Sequence, residues 1–102
     1  MDIRGARYIH IFVPCPLGWG SMPENTIRIA RLAVETGLFP LFEARDGEVV
    51  SSTPIRHKLP VTEYLSLQKR YAHLFGKEPD LARIEQIQKM ADRNIEEFGL
   101  LR

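Results

Sequence analysis

The sequence has a single cysteine, Cys15, which excludes an internal disulfide and fits a reducing compartment. It has no apolar run approaching the roughly 18 residues that a membrane-spanning helix needs. Its N-terminus, MDIRGARY, lacks the hydrophobic region of a signal peptide. An excess of charge of one sign is also missing, because 14 basic and 13 acidic residues give a formal charge of +1. We therefore expect a cytoplasmic protein with neither a membrane nor a nucleic acid as its partner.

Sequence motifs that carry catalysis are absent as well. The chain contains no Gly-Asp-Gly stretch, no glycine-rich phosphate loop, no Walker A motif and no His/Cys spacing typical of a metal site. With 102 residues, of which 44% are hydrophobic, it has room for one domain with a modest core. By itself the chain is predicted to be catalytically silent.

What is present begins with an apolar run, Tyr8–Val13, that stops abruptly at a proline. Its β-branched and aromatic residues favour a buried strand. Prolines on both sides of Cys15 fix the backbone and remove two amide donors. This pattern predicts that Cys15 lies on a rigid elbow at the carboxyl end of a core strand, where the ligands of α/β sheets collect. Two glycines flank Trp19 just after it, and they permit close approach of the backbone.

A helix is predicted to follow the elbow. Ser21 and Glu24 have the spacing of a capping box. The helix is predicted to run from there to Glu35 or Thr36, with Gly37 as its C′ residue. Its expected apolar face, spaced for one side of a helix, consists of Ile27, Ala30, Ala33 and Val34, widened by Ile29 and Leu32.

The rest of the chain predicts a hairpin and two helices. The hairpin pairs Pro40–Arg45 with Glu48–Ser51 around an Asp46-Gly47 turn, a dipeptide typical of type I′. Helical spacing of apolar residues predicts helices over Val61–Phe75 and Pro79–Phe98, each followed by glycine. The predicted fold class is α/β: a core strand, a helix, a β-hairpin and two C-terminal helices.

The elbow also carries a resemblance to a known family. Tyr8-Ile9-His10, Pro14-Cys15-Pro16 and Gly18-Trp19-Gly20 resemble, in their order and spacing, the C-terminal part of the β subunit of 2-oxoacid:ferredoxin oxidoreductases. Pyruvate:ferredoxin oxidoreductase is the best-known member of this family. The resemblance covers about residues 6 to 75. It continues through Thr26-Ile27, Arg31–Gly37, Pro40–Glu43 and Pro60–Leu65.

The resemblance implies a function for the complete protein. It would carry out the CoA-dependent oxidative decarboxylation of a 2-oxoacid such as pyruvate, with electrons passed through [4Fe-4S] clusters to ferredoxin. Thiamine diphosphate and Mg²⁺ would be its other cofactors, and the other subunits of the oxidoreductase its partners. In the family, the cysteine at the position of Cys15 is a ligand of the [4Fe-4S] cluster nearest the thiamine diphosphate. Trp19 would lie in a loop that lines the cluster or the cofactor pocket.

The same resemblance implies that this chain corresponds to part of a longer β subunit, as a split gene product or a truncated chain. Residues 1–37 would be the end of a thiamine-diphosphate-binding α/β domain, whose sheet the strand and helix complete. Residues 38–102 would be the C-terminal extension, with the hairpin and two helices. Since a [4Fe-4S] cluster needs four thiolates, the chain alone, with only Cys15, is expected to hold no cofactor.

Two other functions stay open. A non-catalytic assembly module would dock its amphipathic helices onto a partner subunit. A stand-alone thiol enzyme would pair Cys15 with a histidine, and His10, His57 and His73 are the candidates. The basic stretch Arg56-His57-Lys58 is interpreted as a solvated loop, with an acidic partner such as ferredoxin, or the phosphates of coenzyme A, as the functional alternative.

Overall fold

The computed structural model describes residues 5 to 101, a chain of helices and one β-hairpin that extends over 53 × 28 × 22 Å. Two short 3-10 helices cover Pro23–Asn25 and Lys69–Leu74. The regular elements, in chain order, are α1 (Pro16–Trp19), α2 (Thr26–Glu35), β1 (Phe42–Arg45), β2 (Glu48–Ser52), α3 (Val61–Leu65) and α4 (Leu81–Glu97).

The main core lies between α2, α3 and α4. The largest fully buried side chains in it include Ile29 of α2 and Leu65 of α3. Gln88 joins α4 to α3, because its Oε1 accepts the backbone N–H of Val61 at 2.9 Å. The buried residues of this cluster are Ile29, Leu32, Ala33, Val61, Tyr64, Leu65, Leu74 and Ala91.

The C-terminus of α2 packs directly onto α4. Gly37 adopts a φ of 90°, and its N–H donates to Val34 O at 3.0 Å, so the prediction of a C′ glycine is confirmed. Its carbonyl accepts a hydrogen bond from Asn94 Nδ2 at 2.9 Å. A β carbon at position 37 would lie only 2.7 Å from Ile95 Cγ1, so glycine is required by contact as well as by backbone geometry.

The N-terminus of α2 differs from its prediction. The Ser21 hydroxyl is buried and makes no hydrogen bond, so the predicted capping box is wrong. A 3-10 turn begins the helix instead, and the Thr26 hydroxyl donates to Pro23 O at 2.7 Å. Ile27 was expected on the apolar face but is 70% exposed, because the face that meets α3 and α4 is centred on Ile29 and Leu32.

The predicted hairpin is confirmed. Asp46 and Gly47 have φ values of 54° and 80°, as a type I′ turn requires, and β1 pairs antiparallel with β2. The register shifts between Glu43, opposite Ser51, and Ala44, opposite Val49. Both strands are mostly exposed, and the hairpin meets the helical part where Phe42 stacks on Phe98 with ring centroids 4.5 Å apart.

The single helix predicted over Val61–Phe75 is wrong, since α3 ends at Leu65 and a separate 3-10 helix follows. Gln68 is the cause. Its side-chain Nε2 donates to Tyr64 O at 2.9 Å, and takes the acceptor that its own backbone N–H would use in an α-helix. The next N–H, that of Lys69, leaves the helix and donates to Gly20 O at 3.0 Å. The break therefore faces the elbow.

Helix α4 confirms the long C-terminal helix, with small differences at its ends. It begins after Asp80, whose carboxylate accepts the N–H of Arg83 at 3.1 Å as an N-cap. It ends before Gly99, which has a φ of 58°. Leu81, the first residue of the helix, is 71% exposed. Across residues 5 to 101, every helix is too short or too polar to cross a bilayer.

The core strand predicted over Tyr8–Val13 does not form in the described part of the chain. The segment has no regular secondary structure, and Ile9, Ile11 and Val13 are 69–72% exposed. The physical reason is the lack of a neighbour, because β1 and β2, the strands of residues 5 to 101, pair with each other. Strand propensity without a pairing strand gives neither a ladder nor burial. The coarse expectation of mixed helix and strand holds, while the buried strand is a correction.

Candidate functional site

The site predicted from the sequence is the elbow, residues 15 to 20, and it folds into the single turn α1. Cys15 precedes this turn with an extended backbone (φ −121°, ψ 94°), as expected for a residue before proline. The Trp19 N–H donates to Cys15 O at 2.9 Å and closes the turn. Gly20 follows in the left-handed region, with a φ of 68°. The elbow is therefore a tight, reversing turn, as the two prolines and glycines indicate.

Cys15 presents an exposed, free thiol. A β carbon at position 18 would lie 3.4 Å from its Sγ, in ordinary contact, so Gly18 leaves that side of the sulfur open. Within residues 5 to 101, His, Cys, Asp and Glu side chains form no group of three or more that could hold a metal ion. Because Cys15 is the single cysteine of the sequence, the chain can supply at most one of the four thiolates that a [4Fe-4S] cluster needs.

Trp19 anchors the elbow to the rest of the molecule by packing on two sides. Its ring lies 5.4 Å from that of Phe12, which in turn contacts Phe39 beyond α2 at 5.1 Å. On the other side, the guanidinium carbon of Arg70 lies 4.0 Å from the centre of the indole. Trp19 is half-buried in this arrangement. These two contacts fix the indole, and with it the turn that carries Cys15.

The segment after α3 holds the far end of the elbow. Gly20 O accepts the Lys69 N–H at 3.0 Å. The two backbones approach so closely that a β carbon on Gly20 would lie 2.6 Å from Lys69 Cβ. Only glycine is compatible with both this contact and the positive φ. The two glycines around Trp19 therefore differ: Gly20 is required by the contact with Lys69, whereas a β carbon at Gly18 would make only an ordinary contact with the sulfur.

Arg70 is itself held from the core. Its Nε donates to Gln68 Oε1 at 2.7 Å, and its Nη2 donates to the Tyr64 hydroxyl at 3.3 Å. Tyr71 lies on the guanidinium as well, 4.7 Å from its ring centre. Gln68 is only 2% exposed, and burial raises the pKa of the Tyr64 phenol above its usual value of 10.0, so the phenol remains a neutral partner at physiological pH.

The three histidines lie at the surface, and one of them, His73, shares a groove with Arg70 and Tyr71 of this network. His10 is exposed and packs edge-on against Phe39, with ring centroids 5.1 Å apart. His57 and His73 are also exposed, and His73 lines a shallow open groove beside α4. In the basic stretch, Lys58 Nζ pairs with Asp92 Oδ1 at 2.9 Å, so this lysine has a structural contact within the chain.

No protein-family model matches the chain, but curated proteins do. Pyruvate synthase subunit PorB of Methanosarcina barkeri is 46% identical over 99 residues, which cover 97% of this chain and 33% of that subunit. PorB of Methanocaldococcus jannaschii is 46% identical over 101 residues, 98% of this chain and 32% of that subunit. Ketoisovalerate oxidoreductase subunit VorB of Pyrococcus abyssi is 42% identical over 74 residues, 71% of this chain and 24% of that subunit. The chain belongs to the PorB/VorB family.

The resemblance read from the sequence is therefore confirmed, and it reaches beyond the residues that first indicated it. The matches to the two PorB subunits extend over nearly the whole chain, including α4, for which the sequence alone offered no likeness. The chain spans about a third of the length of these PorB relatives. PorB is named as a subunit of pyruvate synthase and VorB as a subunit of ketoisovalerate oxidoreductase, so both names refer to enzymes that handle 2-oxoacids.

One residue of the site escaped the sequence reasoning. Arg70 lies about 50 positions from Trp19 in the chain and falls on the polar side of what the apolar spacing predicts as one helix. Nothing local distinguishes it from other surface arginines. The buried glutamine two positions earlier is a weak signal in retrospect, because a polar residue on an apolar stripe requires hydrogen-bond partners.

Proposed function

We propose that this chain acts as part of the β subunit of a 2-oxoacid:ferredoxin oxidoreductase. The complete enzyme would carry out CoA-dependent oxidative decarboxylation of a 2-oxoacid such as pyruvate, with [4Fe-4S] clusters passing electrons to ferredoxin. The observation that supports this is the 46% identity to two PorB subunits over almost the entire chain. Thiamine diphosphate, when bound with Mg²⁺ in the complete protein, supplies the carbanion chemistry of such a reaction.

Cys15 is the residue of this chain that we assign to that function, as one thiolate ligand of a [4Fe-4S] cluster. Its free thiol is exposed, and the turn that carries it is held by contacts on both sides of Trp19. A cluster ligand needs both properties, since the sulfur must reach iron and its position must not depend on the metal alone. Trp19 serves the same site by fixing the turn. No described residue is assigned to thiamine diphosphate or Mg²⁺.

The division of the chain follows from this proposal. Residues 1–37, of which the structure describes 5 to 37, would end a thiamine-diphosphate-binding domain, and residues 38–102 would form the extension of the β subunit. The exposed apolar row of Ile9, Ile11 and Val13 fits the first part, because strands of such a domain pair at the edges of this segment and a packed layer of helices would cover this face.

The test is to co-purify the tagged chain from its native cells and to assay the complex for larger subunits, iron and thiamine diphosphate. We expect all three, and Cys15→Ala should lower the iron by about four atoms per complex, since one cluster loses a ligand. Ser51→Ala, on the exposed hairpin, is the matched control and should leave the iron content unchanged. Recovery of a complex whose iron is the same with Cys15→Ala would contradict the assignment of Cys15.

A non-catalytic docking module is the second candidate function. The observation in its favour is the same apolar row, which is large and exposed and does not depend on any cofactor. A docking module would bring down a partner subunit that carries neither iron nor thiamine diphosphate. The co-purification therefore separates the two functions by what accompanies the chain.

A further inference from the structure

We propose that Arg70 is a positioning residue for the Cys15 elbow, and that it acts through Trp19. The guanidinium links the buried polar residues at the break after α3 to the indole of the one-turn helix α1. The importance of this link for a cluster ligand rests on the proposed function. The link itself is a property of the chain and is tested without any cofactor.

The elbow needs support from outside its own turn. A single turn of helix is marginal in isolation, because nucleation costs more than one hydrogen bond returns. Helix α1 has four residues, none of them buried, and the segment before it forms no strand. The bond from the Trp19 N–H to Cys15 O is therefore exposed to local opening unless something outside the turn holds it.

Arg70 can give this support because its side chain is itself held in place. A free arginine would gain little by stacking, because its long side chain would lose rotamer freedom. Here Gln68 accepts from Nε, the Tyr64 hydroxyl accepts from Nη2, and the Gln68 amide is fixed in turn by Tyr64 O. The guanidinium lies 4.0 Å from Trp19 and 4.7 Å from Tyr71, so it is also held by two rings.

The support from Arg70 reaches Cys15 through the backbone of the turn. Trp19 is four residues after Cys15, and their backbones are joined by the hydrogen bond that defines the turn. The neighbouring bond from Lys69 N–H to Gly20 O fixes the end of the same turn. Loss of the Arg70 contact would free the indole first and then the turn, and the position of the thiol would no longer be defined.

The experiment uses the fact that the 102-residue chain has one tryptophan, so tryptophan emission, excited selectively over the three tyrosines, reports on the elbow. Arg70→Met removes the charge and the planar fork, and Arg70→Lys keeps the charge but loses the fork. We expect Arg70→Met to shift the Trp19 emission to longer wavelength. We also expect it to increase amide hydrogen exchange at Trp19 by roughly 2- to 30-fold, the range that corresponds to one cation–π contact. For Arg70→Lys, we expect an emission shift and an increase in exchange that lie between those of the unaltered chain and those of Arg70→Met.

Two controls separate positioning from general stability. Arg28→Met, on the exposed side of α2, should change neither readout. The amide of Leu32, in the core, should exchange at its original rate in every variant. Unchanged Trp19 emission and exchange in Arg70→Met would overturn the proposal, and so would an equal rise in exchange at Leu32. If Arg70→Met does not fold, the same criteria apply to Arg70→Lys.

A last measurement tests whether the contact between Arg70 and Trp19 matters for the cluster. In the co-purified complex, Arg70→Met keeps Cys15 but should release iron to a chelator faster than the unaltered chain does. Failure of the proposed function would appear as a complex without iron and would leave the fluorescence and exchange results standing. If Arg70 does not position the elbow, the Trp19 emission and amide exchange of Arg70→Met will be unchanged, whatever the iron content.

Discussion

Two short apolar stretches of this chain have opposite fates. Val61–Leu65 is folded into a helix and has Val61 and Leu65 at 0% and 2% exposure. Tyr8–Val13 is at least as apolar, but Ile9 and Ile11 are 71% and 72% exposed. The difference is one of neighbours, since α3 contacts both α2 and α4, while the first stretch has no strand beside it among residues 5 to 101. Apolar sequence specifies that a surface will be buried, and the partner that buries it is specified elsewhere.

The first stretch is nevertheless ordered on one side. His10 and Phe12 both contact Phe39, and Phe12 also contacts Trp19. Ile9, Ile11 and Val13 alternate with them and face outward. This alternation is the pattern of a strand, with one face on the chain's own aromatic residues and the other without cover.

The comparison predicts its largest effect for a matched pair of isoleucines. Ile29→Ala should lower the free energy of unfolding by about 2–5 kcal/mol, because it leaves a cavity at a fully buried position. Ile11→Ala should change it by less than about 0.5 kcal/mol, since its side chain is exposed. Urea unfolding followed by circular dichroism measures both. A large loss from Ile11→Ala would mean that the first stretch has a partner in the isolated chain.

The second prediction sharpens the comparison at the junction of α2 and α4. Gly37→Ala should destabilise the chain by about 2–4 kcal/mol, since its β carbon would clash with Ile95 and its φ is positive. Gly47→Ala is the control, because it has the same sign of φ with no atom within 4 Å of the new β carbon. The difference between the two free energies of unfolding isolates the contact with α4. Equal losses would show that backbone strain alone accounts for Gly37.

The smallest effect concerns an ion pair that fixes the loop before α3 to α4. A hydrogen bond from Lys58, with a second from Gln88, holds the pKa of Asp92 below its usual value of 3.8. Such a lowered pKa contributes stability that is fully present above about pH 5 and is lost as the pH falls through the folded-state pKa. Because both side chains are nearly half exposed, Asp92→Asn should cost only about 0.3–1 kcal/mol at pH 7.

The pH dependence provides the check on this pair. Unfolding free energies of the original chain and Asp92→Asn should differ at pH 7 and converge near pH 2. Asp46→Asn in the hairpin turn is the matched control and should have little effect, since Asn-Gly also suits a type I′ turn. A difference that persists unchanged to low pH would assign the effect of Asp92 to packing.

Features that depend on a few adjacent residues were predictable from the sequence. The Asp46-Gly47 turn and Gly37 both require positive φ, and each is announced by its own residue type. The family resemblance was equally accessible, because it rests on the order and spacing of short pieces around Cys15. These local features were thus predicted better than the contacts between distant parts of the chain.

Features that depend on distant contacts were not predictable. The break after α3 comes with two bonds that a regular helix would not make: the Gln68 side chain donates to Tyr64 O of α3, and the Lys69 N–H donates to the distant Gly20 O. Arg70 joins the site by the same long-range route. For the first stretch, strand propensity led to the wrong prediction of a buried strand, because burial requires a neighbour that propensity does not supply.

The hydrogen bond from Asn94 to Gly37 spans 57 positions of the chain, and this has a consequence for synthesis on the ribosome. Helix α2 emerges long before α4, so Ile29 and Leu32 lack their complete cover while the intervening residues are made. At about 5–20 residues per second, this interval lasts roughly 3–11 s. During that time the nascent chain presents an amphipathic helix, which is the kind of segment that a chaperone at the tunnel exit binds.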